Sequence, residues 1–115
     1  MHLLRLLPLV LVATLLSTPA MSHGIKVLTA VEAGQVKSAS TFADGRPVKQ
    51  GPVKVYDSEK TLLLEGTTDD QGLFAFPIPK VDTLTVEVRD ILGHRNSDTI
   101  PQAEIAAGMS TQDVR

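Results

Sequence analysis

Apolar and polar residues alternate in short runs along most of this chain, and glycine, proline or aspartate separates the runs. The clearest run is Thr83–Arg89, in which the alternation continues at every position, as in a strand with one buried face. The turn signals recur about every 8–12 residues, which is typical of antiparallel sandwiches. Seven strands are predicted, at Ile25–Val31, Gln35–Phe42, Val53–Tyr56, Thr61–Glu65, Leu73–Phe76, Thr83–Arg89 and Arg95–Ile100.

These runs predict an all-β fold, a small antiparallel β-sandwich of about seven strands that covers residues 23–101. Pro77-Ile78-Pro79 cannot lie within a central strand, so it marks a sheet edge or a crossing between sheets. With three Phe, one Tyr and no Trp, the core is expected to consist mainly of Val, Leu and Ile. In residues 102–115, Ala103–Ala107 can form one helical turn, and the rest is expected to be a flexible polar tail.

Residues 1–22 have the pattern of a signal peptide, with a weakly positive start, an apolar stretch too short to span a membrane, and small residues near the end. A cut after Ser22 makes His23 the first residue of the mature chain. A cut after Ala20 leaves two residues before it. The protein is therefore expected to be exported to the periplasm, and an uncleaved N-terminal anchor is the alternative.

Composition excludes several classes of function. The chain has no cysteine, so it can form neither a disulfide nor a thiolate metal site. Its net charge is −2 and its basic residues are not clustered, which argues against binding to nucleic acid or to an anionic membrane surface. There is no recognisable nucleophile motif and no phosphate-binding glycine loop. We therefore do not expect an enzyme.

Two histidines remain after removal of the leader, His23 and His94. Because consecutive antiparallel strands reverse direction, the start of the first strand lies at the same end as the loops that follow the second, fourth and sixth strands. This places His23 and the turn Gly93-His94-Arg95 at one end of the domain. The same loops contribute four carboxylates that could be further ligands or could orient the ligands: Asp44, Asp69, Asp70 and Asp90.

A nitrogen-rich site of this kind suits Ni(II) and Cu(II). If His23 is the first residue, its amine and imidazole form a chelate, and His94 adds a third nitrogen. If Met21 is first, then its amine, two backbone amides and the His23 imidazole suffice to hold the metal. The alternative is that His23 is an ordinary polar residue before the first strand and that His94 is solvated in a surface turn.

The remaining polar residues at this end have ordinary structural explanations. Asp69 and Asp70 are expected to shape their turn by accepting backbone hydrogen bonds. Arg95 is expected to pair with Asp90 or Asp98 rather than to take part in chemistry.

Three segments, Asp44–Val48, Gly51–Tyr56 and Gly66–Phe76, resemble the carboxypeptidase-regulatory-like (transthyretin-like) β-sandwich. The flanking Ser22-His23-Gly24 and Gly93-His94-Arg95 are similar to those of small periplasmic accessory proteins of energy-coupling-factor nickel/cobalt transporters. The second resemblance implies that His23 and His94 bind Ni²⁺ or Co²⁺, with Cu²⁺ as the alternative.

The resemblance also implies that the partners are the membrane components of the transporter, and that the protein supports nickel or cobalt uptake. Many members of that family continue into a C-terminal membrane helix, which this sequence lacks, so docking would use its surface or an uncleaved leader. The alternative function is a non-catalytic structural or interaction module of the cell envelope without a metal. A copper-dependent oxidative enzyme with an N-terminal histidine is a third and weaker hypothesis, because the domain is small and poor in aromatic residues.

Overall fold

The computed structural model describes residues 24–112, and it confirms a two-sheet antiparallel β-sandwich. One sheet has the strand order β1-β2-β5 and the other has the order β4-β3-β6-β7. All seven predicted strands are present, and the largest shift is at β4, which ends at Thr67 rather than Glu65. The elements are β1 (Ile25–Glu32), β2 (Gln35–Phe42), β3 (Pro52–Tyr56), β4 (Leu62–Thr67), β5 (Leu73–Pro77), β6 (Leu84–Arg89), β7 (Arg95–Ile100) and α1 (Gln102–Gln112).

The core lies between the two sheets and consists mainly of aliphatic side chains, as predicted. Alternate residues of β6 point inward, and Leu84, Val86 and Val88 are fully buried. Both valines of β3 are buried in the same way. The fully or largely buried apolar residues are Ile25, Val27, Val36, Val48, Val53, Val55, Phe76, Leu84, Val86, Val88, Ile100 and Ile105.

Side chains join the two sheets along one side of the sandwich, where the edge strands β1 and β7 face each other. Asn96 Nδ2 donates to the Ile25 carbonyl oxygen at 2.7 Å. Thr29 Oγ1 donates to Asp98 Oδ2 at 2.6 Å. The first bond places Ile25, the first residue of β1, beside the start of β7. The second bond occupies the Asp98 carboxylate, one of the two that had been predicted to pair with Arg95.

The chain changes sheets after β5, where the proline-rich segment had been predicted to mark an edge or a crossing. β5 is an edge strand that pairs only with β2 and ends at Pro77. The next strand, β6, lies in the centre of the other sheet. The prediction from the two prolines is therefore confirmed. Proline has no N–H to donate, so it is tolerated at a sheet edge and in a crossing between sheets.

The C-terminal segment differs from the expectation of a single helical turn followed by a flexible tail. It forms α1, which begins after Pro101, whose carbonyl oxygen accepts bonds from the Glu104 and Ile105 N–H groups. Ile105 is fully buried, and Gly108 packs so closely on Val31 that an added Cβ would lie 2.2 Å from its side chain. Packing onto the β1–β2 hairpin therefore stabilises a helix that local sequence preference alone would not extend.

The predicted signal peptide and His23 lie outside the residues that the structure describes. Between residues 24 and 112, no helix has both the length and the apolar character needed to cross a membrane.

Candidate functional site

Three loops and the start of β1 meet at one end of the sandwich, which we call the top end: Gly24 and the segments 43–51, 68–72 and 90–94. Ala43 N–H donates to the Gly24 carbonyl oxygen at 3.0 Å, and Thr68 N–H donates to the Gly51 carbonyl oxygen at 2.9 Å. Gly51 lies directly against the backbone at the base of the third loop, since an added Cβ would lie 2.5 Å from the Arg89 carbonyl oxygen. The predicted common end of these loops is confirmed.

A buried threonine holds the 43–51 loop in place. Thr68 Oγ1 donates to the Val48 carbonyl oxygen at 2.6 Å and accepts from the Gly51 N–H at 2.8 Å. The residue is almost completely buried, so both bonds are shielded from water. The loop that borders the Asp90–His94 turn is therefore fixed to the frame of the fold.

The Asp90–His94 segment is a tight hairpin turn organised by a single aspartate. Asp90 Oδ1 accepts hydrogen bonds from the backbone N–H groups of Leu92 at 2.9 Å and His94 at 2.8 Å. The backbone N–H of Asp90 donates to the His94 carbonyl oxygen at 2.9 Å, which closes the turn. Gly93 has a φ of 95°, in the left-handed region that this turn requires and that glycine adopts without strain.

The second oxygen of the same aspartate contacts the imidazole. His94 Nδ1 lies 2.7 Å from Asp90 Oδ2. The His94 side chain is 42% exposed, whereas that of Asp90 is 7% exposed. Burial raises the pKa of Asp90, but the hydrogen bonds from the ring and backbone of His94 and from Leu92 outweigh it, so the pKa lies below its ordinary value.

This pairing has a chemical consequence for the imidazole. A neutral histidine that donates its Nδ1–H to a carboxylate carries its lone pair on Nε2. Metal-binding histidines commonly have a carboxylate on the nitrogen that does not bind the metal. An imidazole nitrogen is a suitable donor for Ni(II), Co(II) and Cu(II), so the type and orientation of His94 fit the group that the sequence predicted.

Two of the other three predicted carboxylates at the top end, Asp69 and Asp44, have structural partners, whereas within residues 24–112 the exposed Asp70 accepts no backbone hydrogen bond of the kind predicted for it. Asp69 Oδ1 accepts from the backbone N–H groups of Gln71 and Leu73, at 2.8 and 2.9 Å, which confirms the turn-shaping role predicted for it. Asp44 accepts from the Arg46 backbone N–H at 3.0 Å and from Arg46 Nε at 2.7 Å. These two bonds lower the pKa of Asp44.

The predicted pairing of Arg95 is wrong for the part of the chain that the structure describes. Among residues 24–112, Arg95 forms no ion pair with either Asp90 or Asp98. The reason is that His94 and the turn amides occupy Asp90, while Thr29 donates to Asp98.

Sequence reasoning missed the apolar tip of the Asp90–His94 turn. Ile91 is 97% exposed and Leu92 is 78% exposed, although both are large aliphatic residues. The sequence carried a signal for this, because the two residues lie between the aspartate and the glycine of a turn, where side chains face solvent. Scattered exposed aliphatic residues are ordinary, but an adjacent pair beside a candidate ligand is a candidate contact surface.

Within residues 24–112, no group of three or more histidine or carboxylate side chains is arranged so that it could hold a metal ion. His94 is the one described member of the predicted ligand pair, because His23 precedes the described residues. Comparison with protein-family models, with curated proteins and with solved structures finds no match to this chain.

Proposed function

We propose that this protein is an exported, non-catalytic metal-binding accessory protein that takes up Ni²⁺ or Co²⁺ in the periplasm for a membrane transporter. His94 and His23 are the proposed ligands, and Cu²⁺ is the alternative metal. The sequence resemblance to accessory proteins of nickel/cobalt transporters motivates the metal and the partner.

One observation from the structure supports the proposal most strongly. The His94 imidazole is oriented by Asp90 at the end of the sandwich where Gly24, the residue after His23, also lies. Asn96, two residues after His94, bonds the carbonyl oxygen of Ile25, two residues after His23. The backbone thus brings Gly24, which follows the proposed ligand His23 in the sequence, to the same end as His94.

The first experiment is to measure the intact mass of the exported protein and to titrate the same sample with Ni²⁺, Co²⁺ and Cu²⁺ by calorimetry. We expect a mass that begins at His23 and one metal ion bound per chain. We expect His94→Ala and His23→Ala each to weaken nickel binding by about tenfold or more, whereas Arg95→Ala, a change at the neighbouring exposed residue, should leave the affinity unchanged.

The outcomes separate the two possible cuts. If the mature chain begins at Met21, His23 with the amine and two amides suffices, and His94→Ala should not change the affinity. No binding of any of the three metals to a correctly cut protein would contradict the proposal.

The exposed aliphatic pair at the top end favours a second candidate, an interaction module without a metal. A ligand that binds only the folded state raises the melting temperature. A melting temperature that is the same with and without each divalent metal would therefore favour this second function, and a metal-dependent increase would favour the first.

A further inference from the structure

We infer that Asp90 is a positioning residue for His94: it selects the tautomer that leaves Nε2 as the metal-binding nitrogen. The inference rests on the proposed function for the identity of the ligand, while its geometric part can be tested on the metal-free protein.

The two oxygens of Asp90 have separate partners. Oδ1 accepts the N–H groups of Leu92 and His94, so this oxygen is required for the turn. Oδ2 lies 2.7 Å from His94 Nδ1. A carboxylate can only accept a hydrogen bond, so a neutral His94 in this contact must carry its proton on Nδ1. The turn therefore fixes both the position of the ring and its tautomer.

Burial of the Asp90 side chain and closure of the turn both stabilise the orientation of the His94 ring. The Asp90 side chain is only 7% exposed, so water competes little for Oδ2. Two contacts of the turn hold the His94 backbone, because its N–H donates to Oδ1 and its carbonyl oxygen accepts from the Asp90 N–H. The preceding Gly93 N–H also donates to the Asp90 carbonyl oxygen, at 3.2 Å. One residue thus controls the backbone and the ring of the proposed ligand.

The Asp69–Leu73 turn shows that a turn of this kind forms without a contact between its aspartate and a histidine ring. Asp69 accepts the same two backbone N–H groups, at positions two and four residues later. Position five of that turn is Leu73, whose side chain has no nitrogen for the aspartate to orient. The contact between the aspartate and the side chain at position five therefore distinguishes the Asp90–His94 turn from the Asp69–Leu73 turn.

Asp90→Asn tests the inference with little change to the turn. The asparagine Oδ1 can still accept the two backbone N–H groups, but the group that replaces Oδ2 is an NH₂ donor. It would face Nδ1 with a hydrogen, so Nδ1 must become the acceptor and the ring proton must move to Nε2. Asp69→Asn makes the same chemical change in the equivalent turn and serves as the matched control.

The first readout uses the metal-free protein. Ring ¹⁵N shifts are recorded at about pH 9, where an imidazole is ordinarily neutral, and the His94 signals are identified by their loss in His94→Ala. We expect Nδ1 to be protonated in the wild type and in Asp69→Asn, and Nε2 to be protonated in Asp90→Asn. An unchanged tautomer in Asp90→Asn, or a wild type with its proton on Nε2, overturns the inference.

The second readout is nickel affinity by calorimetry. We expect Asp90→Asn to weaken binding by about 10- to 100-fold, and Asp69→Asn to leave it unchanged. In the His94→Ala background, Asp90→Asn should cause no further loss, because a positioning residue acts through the ligand. Equal affinity in Asp90→Asn and the wild type overturns the inference and leaves the proposed function intact. Absence of Ni²⁺, Co²⁺ and Cu²⁺ binding in the wild type overturns the proposed function, and the tautomer measurement then decides the inference alone.

Discussion

Two turns at the top end have the same backbone and different side chains. In Asp69–Leu73 and in Asp90–His94, the first aspartate accepts the N–H groups of residues three and five, and a glycine with positive φ occupies position four. In both, the first N–H donates to the carbonyl oxygen of the fifth residue, at 2.9 Å. The local interactions that form the two turns are therefore the same.

The turns differ in how they contact the rest of the protein. An added Cβ on Gly72 would lie 2.3 Å from the Ser40 carbonyl oxygen, whereas Gly93 has nothing within 4 Å. The tip of the first turn is polar, with Asp70 and Gln71, but the second exposes two aliphatic side chains. Packing within the domain explains the glycine and the polar tip of the first turn. It does not explain an exposed apolar tip beside an oriented imidazole, and that difference identifies the Asp90–His94 turn as the candidate site.

The largest expected effect is on folding stability, and it separates the two glycines. Gly72→Ala adds backbone strain and a clash with the Ser40 carbonyl oxygen of β2, so we expect a loss of about 3 kcal/mol or more. Gly93→Ala adds strain alone and should cost about 1 kcal/mol. Urea unfolding of both variants measures the difference. Equal losses would show that the two turns are equally packed, contrary to the structure.

A third turn, Asp57–Thr61, shows that a side chain is tolerated at the fourth position. Lys60 occupies it with a φ of 66°, and Asp57 Oδ1 again accepts two backbone N–H groups, at 2.9 Å each. Here the second carboxylate oxygen is 3.1 Å from Lys80 Nζ, where the Asp90 turn has an imidazole. The same backbone can thus present different partners to its second oxygen.

The Asp57 turn is expected to make the folding stability of the domain depend on pH in the acidic range. The Thr61 N–H, followed by Lys80 and the Glu59 N–H, lowers the pKa of Asp57 from its ordinary value of 3.8, despite the opposing effect of desolvation. The Ser58 N–H is the largest cause that lowers the pKa of Asp82 nearby. A lowered pKa in the folded state stabilises the protein above the ordinary value, and the contribution is lost as the pH falls through the folded value.

The measurement is thermal unfolding of the wild type and Asp57→Asn from about pH 7 down to about pH 2. We expect the variant to melt at a lower temperature at neutral pH and the gap to close below about pH 4, because asparagine resembles the protonated acid. Asp70→Asn, which removes one negative charge from an exposed position, is the control. A gap that stays constant over the whole range would contradict the role assigned to the Asp57 carboxylate.

The fold was largely predictable because alternation in strands such as β6 reports directly which side faces the core. The length of α1 was not, because it depends on Ile105 and Gly108 packing against a distant hairpin. His94 was selected from its residue type and loop position, and Asp90 was one of four carboxylates that could orient a ligand, but nothing singled it out as the one that contacts the His94 ring. The shared spacing of an aspartate, then a glycine three residues later, in 69–73 and 90–94 could have revealed it.

The smallest expected effect concerns the apolar tip, and it bears on why the two turns differ. If Ile91 and Leu92 serve folding, replacing both with serine must destabilise the domain. Because they are 97% and 78% exposed, we expect Ile91→Ser with Leu92→Ser to change the free energy of unfolding by no more than about 0.5 kcal/mol. Val86→Ala, which removes methyl groups from a fully buried residue, is the positive control and should cost about 2 kcal/mol or more. A loss comparable with that of the control would mean that the tip packs within the domain. If stability is unchanged, packing within the domain does not explain the aliphatic tip on the turn that carries His94, and contact with a partner remains as the explanation.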